Sequence, residues 1–153
     1  MGETSFSILS RVIRPAWGLL VALVLVMPAA AGESRGGYET IDAARLQALI
    51  ERGVTVVDVR TPEEWRRTGV IPGSERIMAF TPDGRMNPDF AADFRATVAD
   101  GEAVALICRT GRRSGIVSQA LSRDDRYPAV YNVAGGMRDW LAEGRSVEAC
   151  EHC

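Results

Sequence analysis

Three short apolar runs constrain this chain more than anything else in it: "VTVVDV" (54–59), "AVALI" (103–107) and "AVYNV" (129–133). Unbroken β-branched and aliphatic runs of this length suit strands buried on both faces, as in parallel sheets covered by helices. The segments around them have helical spacing. "DAARLQALIERG" puts Ala43, Leu46, Leu49 and Ile50 on one side and stops at Gly53. "TPEEW" reads as a helix start, with Thr61 as cap and Pro62 in the first turn. "NPDFAADFRATVAD" repeats that grammar, with Asn87 as cap and Pro88 following. "SGIVSQALSR" and "GGMRDWLAEG" predict helices after the second and third runs. Strand and helix in alternation predict an α/β fold, a mostly parallel sheet with helices on both faces.

The front of the chain has a different layout. Arg11 and Arg14 precede an apolar stretch at 16–27, Pro28 breaks it, and Ala29 and Ala31 fit an A-x-A pattern. Basic, apolar, then small residues is the order of a secretory signal. The expectation is cleavage after Ala31 and a periplasmic or secreted protein. The competing reading is an uncleaved membrane anchor, but a spanning helix needs about 20 apolar residues, more than this stretch provides. The chain beyond residue 31 is long enough for one domain with its own core.

Charge excludes one class of function. The formal net charge is −2, which gives no basic footprint for nucleic acid. All the basic residues are arginine, so any anion site here is built from planar, permanently charged forks.

The chemistry concentrates in "CRTGRRS", Cys108 to Ser114, where the second run hands over to a helix. Ligands of open parallel sheets bind beyond the carboxyl ends of the strands, and Asp58 and Cys108 both emerge there. A lone cysteine is more often a small buried hydrophobe, but "RTGRR" is too charged to be core. Gly111 permits a tight loop whose amides turn inward as an anion nest. The helix after the loop adds unpaired N–H groups. Arg109, Arg112 and Arg113 raise the potential. A thiol held there ionises below its ordinary value, and the same field attracts a dianion. No histidine base is at hand, since His152 near the C-terminus is the only one.

These residues resemble the active-site loop of rhodaneses, single-domain sulfurtransferases. The resemblance runs from Tyr38 to Glu148. "VVDVRTPEEWRRTGVIPGS" is similar to the family segment that ends in Gly-His-Ile-Pro-Gly, with Val70 in place of the histidine. "VYNVAGGMRDWLAEG" is similar to its closing segment. The resemblance implies a five-stranded rhodanese-like fold over 38–148. It implies that Cys108 takes the outer sulfur of thiosulfate or a related donor as a persulfide and passes it to a thiol or cyanide. In this scheme the amides of Arg109, Thr110, Gly111, Arg112, Arg113 and Ser114 hold the persulfide. Arg109 and Arg113 steer the sulfonate, and Thr110 offers a hydroxyl. Asp58 and Arg60 brace the loop, either as site residues or as a purely structural bridge, with Arg60 pairing with Glu64. Arg66 and Arg67 form a solvated helix face. No metal or cofactor is implied.

Two alternatives stand beside this. One is a non-catalytic rhodanese-like binding module, though such modules generally lose the cysteine that this chain keeps. The other is a cysteine-dependent phosphatase or arsenate reductase. Phosphatases of this shape resemble a His-Cys, five residues, Arg pattern, but here Ile107 precedes the cysteine and Arg113 comes one place too early. The tail at 149–153 holds Cys150 and Cys153 at C-x-x-C spacing. Two cysteines and His152 are one ligand short of a structural zinc site. The expectation there is an incidental disulfide or a disordered end.

Overall fold

The computed structural model describes residues 37–151 and the terminal residues 1 and 153. The signal segment, its cleavage point and His152 lie outside the described residues. Five strands alternate with five helices: β1 (Glu39–Ile41), α1 (Ala43–Glu51), β2 (Thr55–Asp58), α2 (Pro62–Thr68), β3 (Glu75–Arg76), α3 (Phe90–Thr97), β4 (Val104–Ile107), α4 (Arg112–Leu121), β5 (Val130–Val133) and α5 (Gly136–Ala142). All strand pairs are parallel, in the order β1-β5-β4-β2-β3. The three apolar runs are the three central strands. The outer two strands carry no such run: β1 buries only Ile41, and both residues of β3 are exposed.

Strand alternation divides the core. Val57, Val104 and Leu106 face α3 and α4, packing with Phe90, Phe94 and Val117. Val56, Ala105 and Ile107 face α1 and α5, packing with Leu46, Leu49, Met137 and Trp140. The order of the strands opens a crevice. From β2 the chain moves on to edge strand β3, and from β4 it moves the other way to β5. The loops leaving β2 and β4 therefore part company between those strands, which is where an α/β sheet binds ligands.

Local capping explains where the helices begin. Asp42 Oδ1 accepts from the Arg45 amide at 2.7 Å, starting α1. Thr61 and Glu64 form a reciprocal capping box at α2, with Pro62 in its first turn. The expected cap of α3 is corrected. The helix begins at Phe90, and Asp89 takes the cap position without a side-chain bond. Asn87 lies two residues earlier, where its Nδ2 donates to the Met78 carbonyl at 2.9 Å and its Oδ1 accepts from the Asp89 amide. It closes a turn. Helix α4 begins at Arg112, two residues before the expected stretch, so two arginines stand in its first turn.

The tail is fastened. Cys150 and Cys153 form a disulfide, one of the two expectations for the tail. Val70 and Glu148 exchange backbone hydrogen bonds of 3.0 and 2.9 Å. Arg66 donates to the Cys153 carbonyl.

Candidate active site

Cys108 follows β4 and keeps its alternation. It is in phase with Val104 and Leu106, so its side chain enters the α4 side of the sheet. It is 1% exposed and is the free cysteine of the described residues. The residue is thus buried like a small hydrophobe, yet its sulfur meets the start of a helix.

The orientation of the loop is set from outside it. The Met137 amide donates to the Cys108 carbonyl at 2.9 Å, and the Arg138 amide to the Arg109 carbonyl at 3.0 Å. The first turn of α5 thus holds two loop carbonyls outward, and the loop amides turn the other way. Such an approach requires glycine. At Gly136, with φ 60°, a Cβ would stand 2.2 Å from the Cys108 carbonyl oxygen. At Gly111, with φ 85°, it would stand 2.9 Å from the Val133 carbonyl.

Hydrogen-bond donors consequently converge on Sγ. Burial works against ionisation of Cys108. The Ser114 hydroxyl, 3.4 Å away, and the amides of Ser114, Thr110 and Arg113 outweigh it, and the thiol is held below its ordinary value. Arg113 faces the sulfur too. Its own proton is held more firmly, against the cost of burial, by Glu64 and Cys108.

The supporting ion pairs differ from expectation. The Arg60 and Asp58 side chains, 1% and 0% exposed, pair with each other at 2.6 Å. The Arg60 guanidinium also donates to Thr68 Oγ1 at 2.6 Å and to the Gly69 carbonyl at 2.7 Å. Arg60 touches only the backbone carbonyl of Glu64, at 3.4 Å. The expected Arg60–Glu64 pair is corrected: Glu64 Oε1 accepts from Arg113 at 2.7 Å. Spacing of four brings side chains together only within a helix, and Arg60 precedes the Thr61 cap. Burial raises the Glu64 carboxyl, but the bonds from Arg113 and the Thr61 amide and the nearby Arg60 charge bring it below its ordinary value.

Above the loop lies a cleft of about 640 Å³ lined by Arg67, Arg109, Thr110, Arg112, Arg113 and Phe80, among others. Arg67 therefore belongs to the wall of the cleft as well as to a solvated helix face. Among the described residues no carboxylate forms a salt bridge with Arg109 or Arg112. No group of three or more histidine, cysteine, aspartate or glutamate side chains among the described residues is placed to hold a metal ion.

Sequence reasoning missed one residue in this site. Asn132 of β5, 7% exposed, accepts a hydrogen bond from the Ser114 hydroxyl at 2.7 Å. The signal was present: a polar residue inside a buried apolar run requires a partner.

Comparisons with known proteins point one way. The Rhodanese-like domain family profile matches residues 42–143. A putative thiosulfate sulfurtransferase of Haloferax volcanii is 30% identical over 70% of this chain and 45% of its own length. Thiosulfate sulfurtransferase 18 of Arabidopsis thaliana is 28% identical over 67% of this chain and 77% of its own length. The chain thus spans less than half of the first relative. A rhodanese-related protein of Thermoplasma volcanium superposes with a TM-score of 0.59 at 30% identity, covering 72% of this chain and 98% of that one. The parallel sheet, the cysteine loop after its central strand and a profile match across two thirds of the chain agree, and the chain belongs to the rhodanese-like domain family, with relatives named as sulfurtransferases.

Proposed function

We propose that this protein moves sulfane sulfur from thiosulfate, or a related small anionic donor, to a thiophilic acceptor through a persulfide on Cys108. One observation carries the reading: the buried Cys108 Sγ lies 3.4 Å from the Ser114 hydroxyl at the start of α4, where the amides of Ser114, Thr110 and Arg113 and the Arg113 charge favour its ionised form. Such a cradle favours a thiolate and the anion that replaces it. In the first half-reaction the Cys108 thiolate attacks the outer sulfur of thiosulfate. The S–S bond of the donor breaks, sulfite leaves with the electron pair, and a cysteine persulfide remains. In the second, cyanide or a thiolate attacks the outer persulfide sulfur and the Cys108 thiolate is released. The scheme is a covalent double displacement.

The signal-like front of the chain supports a place outside the cytoplasm, where the Cys150–Cys153 disulfide is the stable form.

The test is the intact mass of the protein after incubation with thiosulfate, beside a Cys108→Ser variant. The expected result is a gain of one sulfur atom, reversed by cyanide and absent in the variant. No gain, with Cys108 still open to alkylation, overturns the thiosulfate reading.

A further inference from the structure

The Ser114 hydroxyl has two claims on one proton. Its oxygen stands 3.4 Å from Cys108 Sγ and 2.7 Å from Asn132 Oδ1. A hydroxyl donates once and accepts through its lone pairs. When it donates to the amide oxygen, it can only accept from the thiol. When it donates to a thiolate, it faces Asn132 Oδ1 lone pair to lone pair, unless the amide turns over and offers Nδ2.

The lack of a side chain at residue 115 removes one obstacle to that turn. Residue 115 of α4 is glycine, which weakens a helix interior relative to alanine. A Cβ there would stand 3.2 Å from Asn132 Nδ2 and 3.7 Å from its Cγ, closer for the amide nitrogen than ordinary contact. Gly115 therefore forgoes helix propensity directly beside the group that has to rotate.

We propose that Asn132 is a positioning residue whose side-chain amide turns over as Cys108 ionises, so that the hydrogen bond donated by the Ser114 hydroxyl shifts from the amide oxygen to the thiolate. In the thiol state Cys108 S–H donates to Ser114 Oγ, and Ser114 O–H donates to Asn132 Oδ1. On ionisation the thiol proton leaves to water. Ser114 O–H then donates to Sγ, and Asn132 Nδ2–H donates to Ser114 Oγ. No heavy-atom bond is made or broken, and the Ser114 hydroxyl has one donor and one acceptor partner in both states.

The other groups around the thiol keep their partners. Arg113 of α4 faces it and is held by Glu64 of α2. Asp58 and Arg60, at the end of β2, close on each other. Arg138 and Asp139 of α5 pair on the surface. The Tyr38 hydroxyl, ahead of β1, is 3.8 Å from where a Gly115 Cβ would stand.

The chain contains two asparagines, Asn87 and Asn132. Protein labelled with ¹⁵N at asparagine therefore gives two side-chain amide signals. Across a pH titration, one is expected to shift with the midpoint of Cys108 alkylation by iodoacetamide. The other belongs to Asn87, fixed on the Met78 carbonyl, and stays still. In Ser114→Ala the moving signal loses that transition. Two still signals, or a transition of equal size in Ser114→Ala, overturn the inference. A second arm uses Asn132→Asp, which can only accept. The added charge slows alkylation in any background through space. Alkylation below the midpoint is expected to slow about tenfold more in the native background than in Ser114→Ala, the size of one hydrogen bond to a charged group. Equal slowing in both overturns it. The inference rests on the sulfurtransferase reading only for its bearing on turnover. Failure of that reading appears as no sulfur uptake by a protein whose amide signal still follows Cys108.

Discussion

Arg113 Nη2 stands 2.7 Å from Glu64 Oε1, and this pair ties the first turn of α4 to the first turn of α2. One arginine is thereby shared between a carboxylate and the Cys108 sulfur. The Glu64 carboxyl also completes the α2 capping box. A single acidic side chain thus starts one helix and positions the cation at the start of another.

Glu64→Gln keeps the capping geometry and removes the charge. It is expected to cost roughly 1 kcal/mol at neutral pH. The Glu64 carboxyl lies below its ordinary 4.5, so its contribution is fully present above that value and is lost as the pH falls through the lower folded value. Melting curves from pH 7 to pH 3 are expected to show the difference between native and variant proteins closing only in the acid range. A gap of constant size at every pH would remove the ion pair from the account.

Arg109 and Arg112 line the cleft without a salt-bridge partner among the described residues, whereas Arg113 is engaged. On the proposed function, steering of the anionic donor therefore falls to Arg109 more than to Arg113. Arg109→Gln is expected to raise the KM for thiosulfate about threefold to tenfold at low ionic strength, and less at high salt. An uncharged sulfur donor is expected to show little change. Equal losses for both donors would show that Arg109 shapes the loop instead.

Asp58→Asn leaves the Arg60 guanidinium buried without its counter-charge. The expected cost is about 3–5 kcal/mol in denaturant unfolding. If Asp58 is structural, the folded variant alkylates at Cys108 with the native pH midpoint. A shifted midpoint at unchanged stability would place Asp58 in the chemistry.

Gly136→Ala puts a methyl group 2.2 Å from the Cys108 carbonyl at a residue with φ 60°. Backbone cannot yield as a flexible side chain would. The expected result is a loss of about 3 kcal/mol or more, combining conformational strain with overpacking. The Cys108 alkylation rate in the surviving folded fraction falls as well, because the outward hold on the loop carbonyl is what turns the amides inward. Native reactivity in this variant would contradict that linkage.

The central strands were legible because each buries an unbroken apolar run. The edge strands were not, because β1 and β3 contribute backbone pairing and almost no apolar burial. Only the family resemblance supplied them. The loop was legible as a cationic nest around Cys108, since glycine, arginine and a following helix have few other uses together. Its partners were harder. Asp58 and Arg60 are two apart in extended chain, a spacing that shares a face, and that rule outweighs the helical spacing to Glu64. The hold that α5 exerts on the loop carbonyls was hidden, because it is made by the backbone of Met137 and Arg138 and leaves no side-chain trace except the paired glycines.

The burial of Cys108 has a consequence for selectivity over time. The thiol of a residue that is 1% exposed is screened from bulky disulfides and from other protein thiols. A sulfur atom carried on it would stand one S–S bond, about 2 Å, beyond the buried thiol. If Cys108 carries sulfur as proposed, the unloaded thiol is reached only by slender donors, while the loaded form offers its outer sulfur to broader acceptors. In the extracytoplasmic setting proposed above, the depth of one atom would separate a nucleophile that survives from one that is spent in the wrong disulfide.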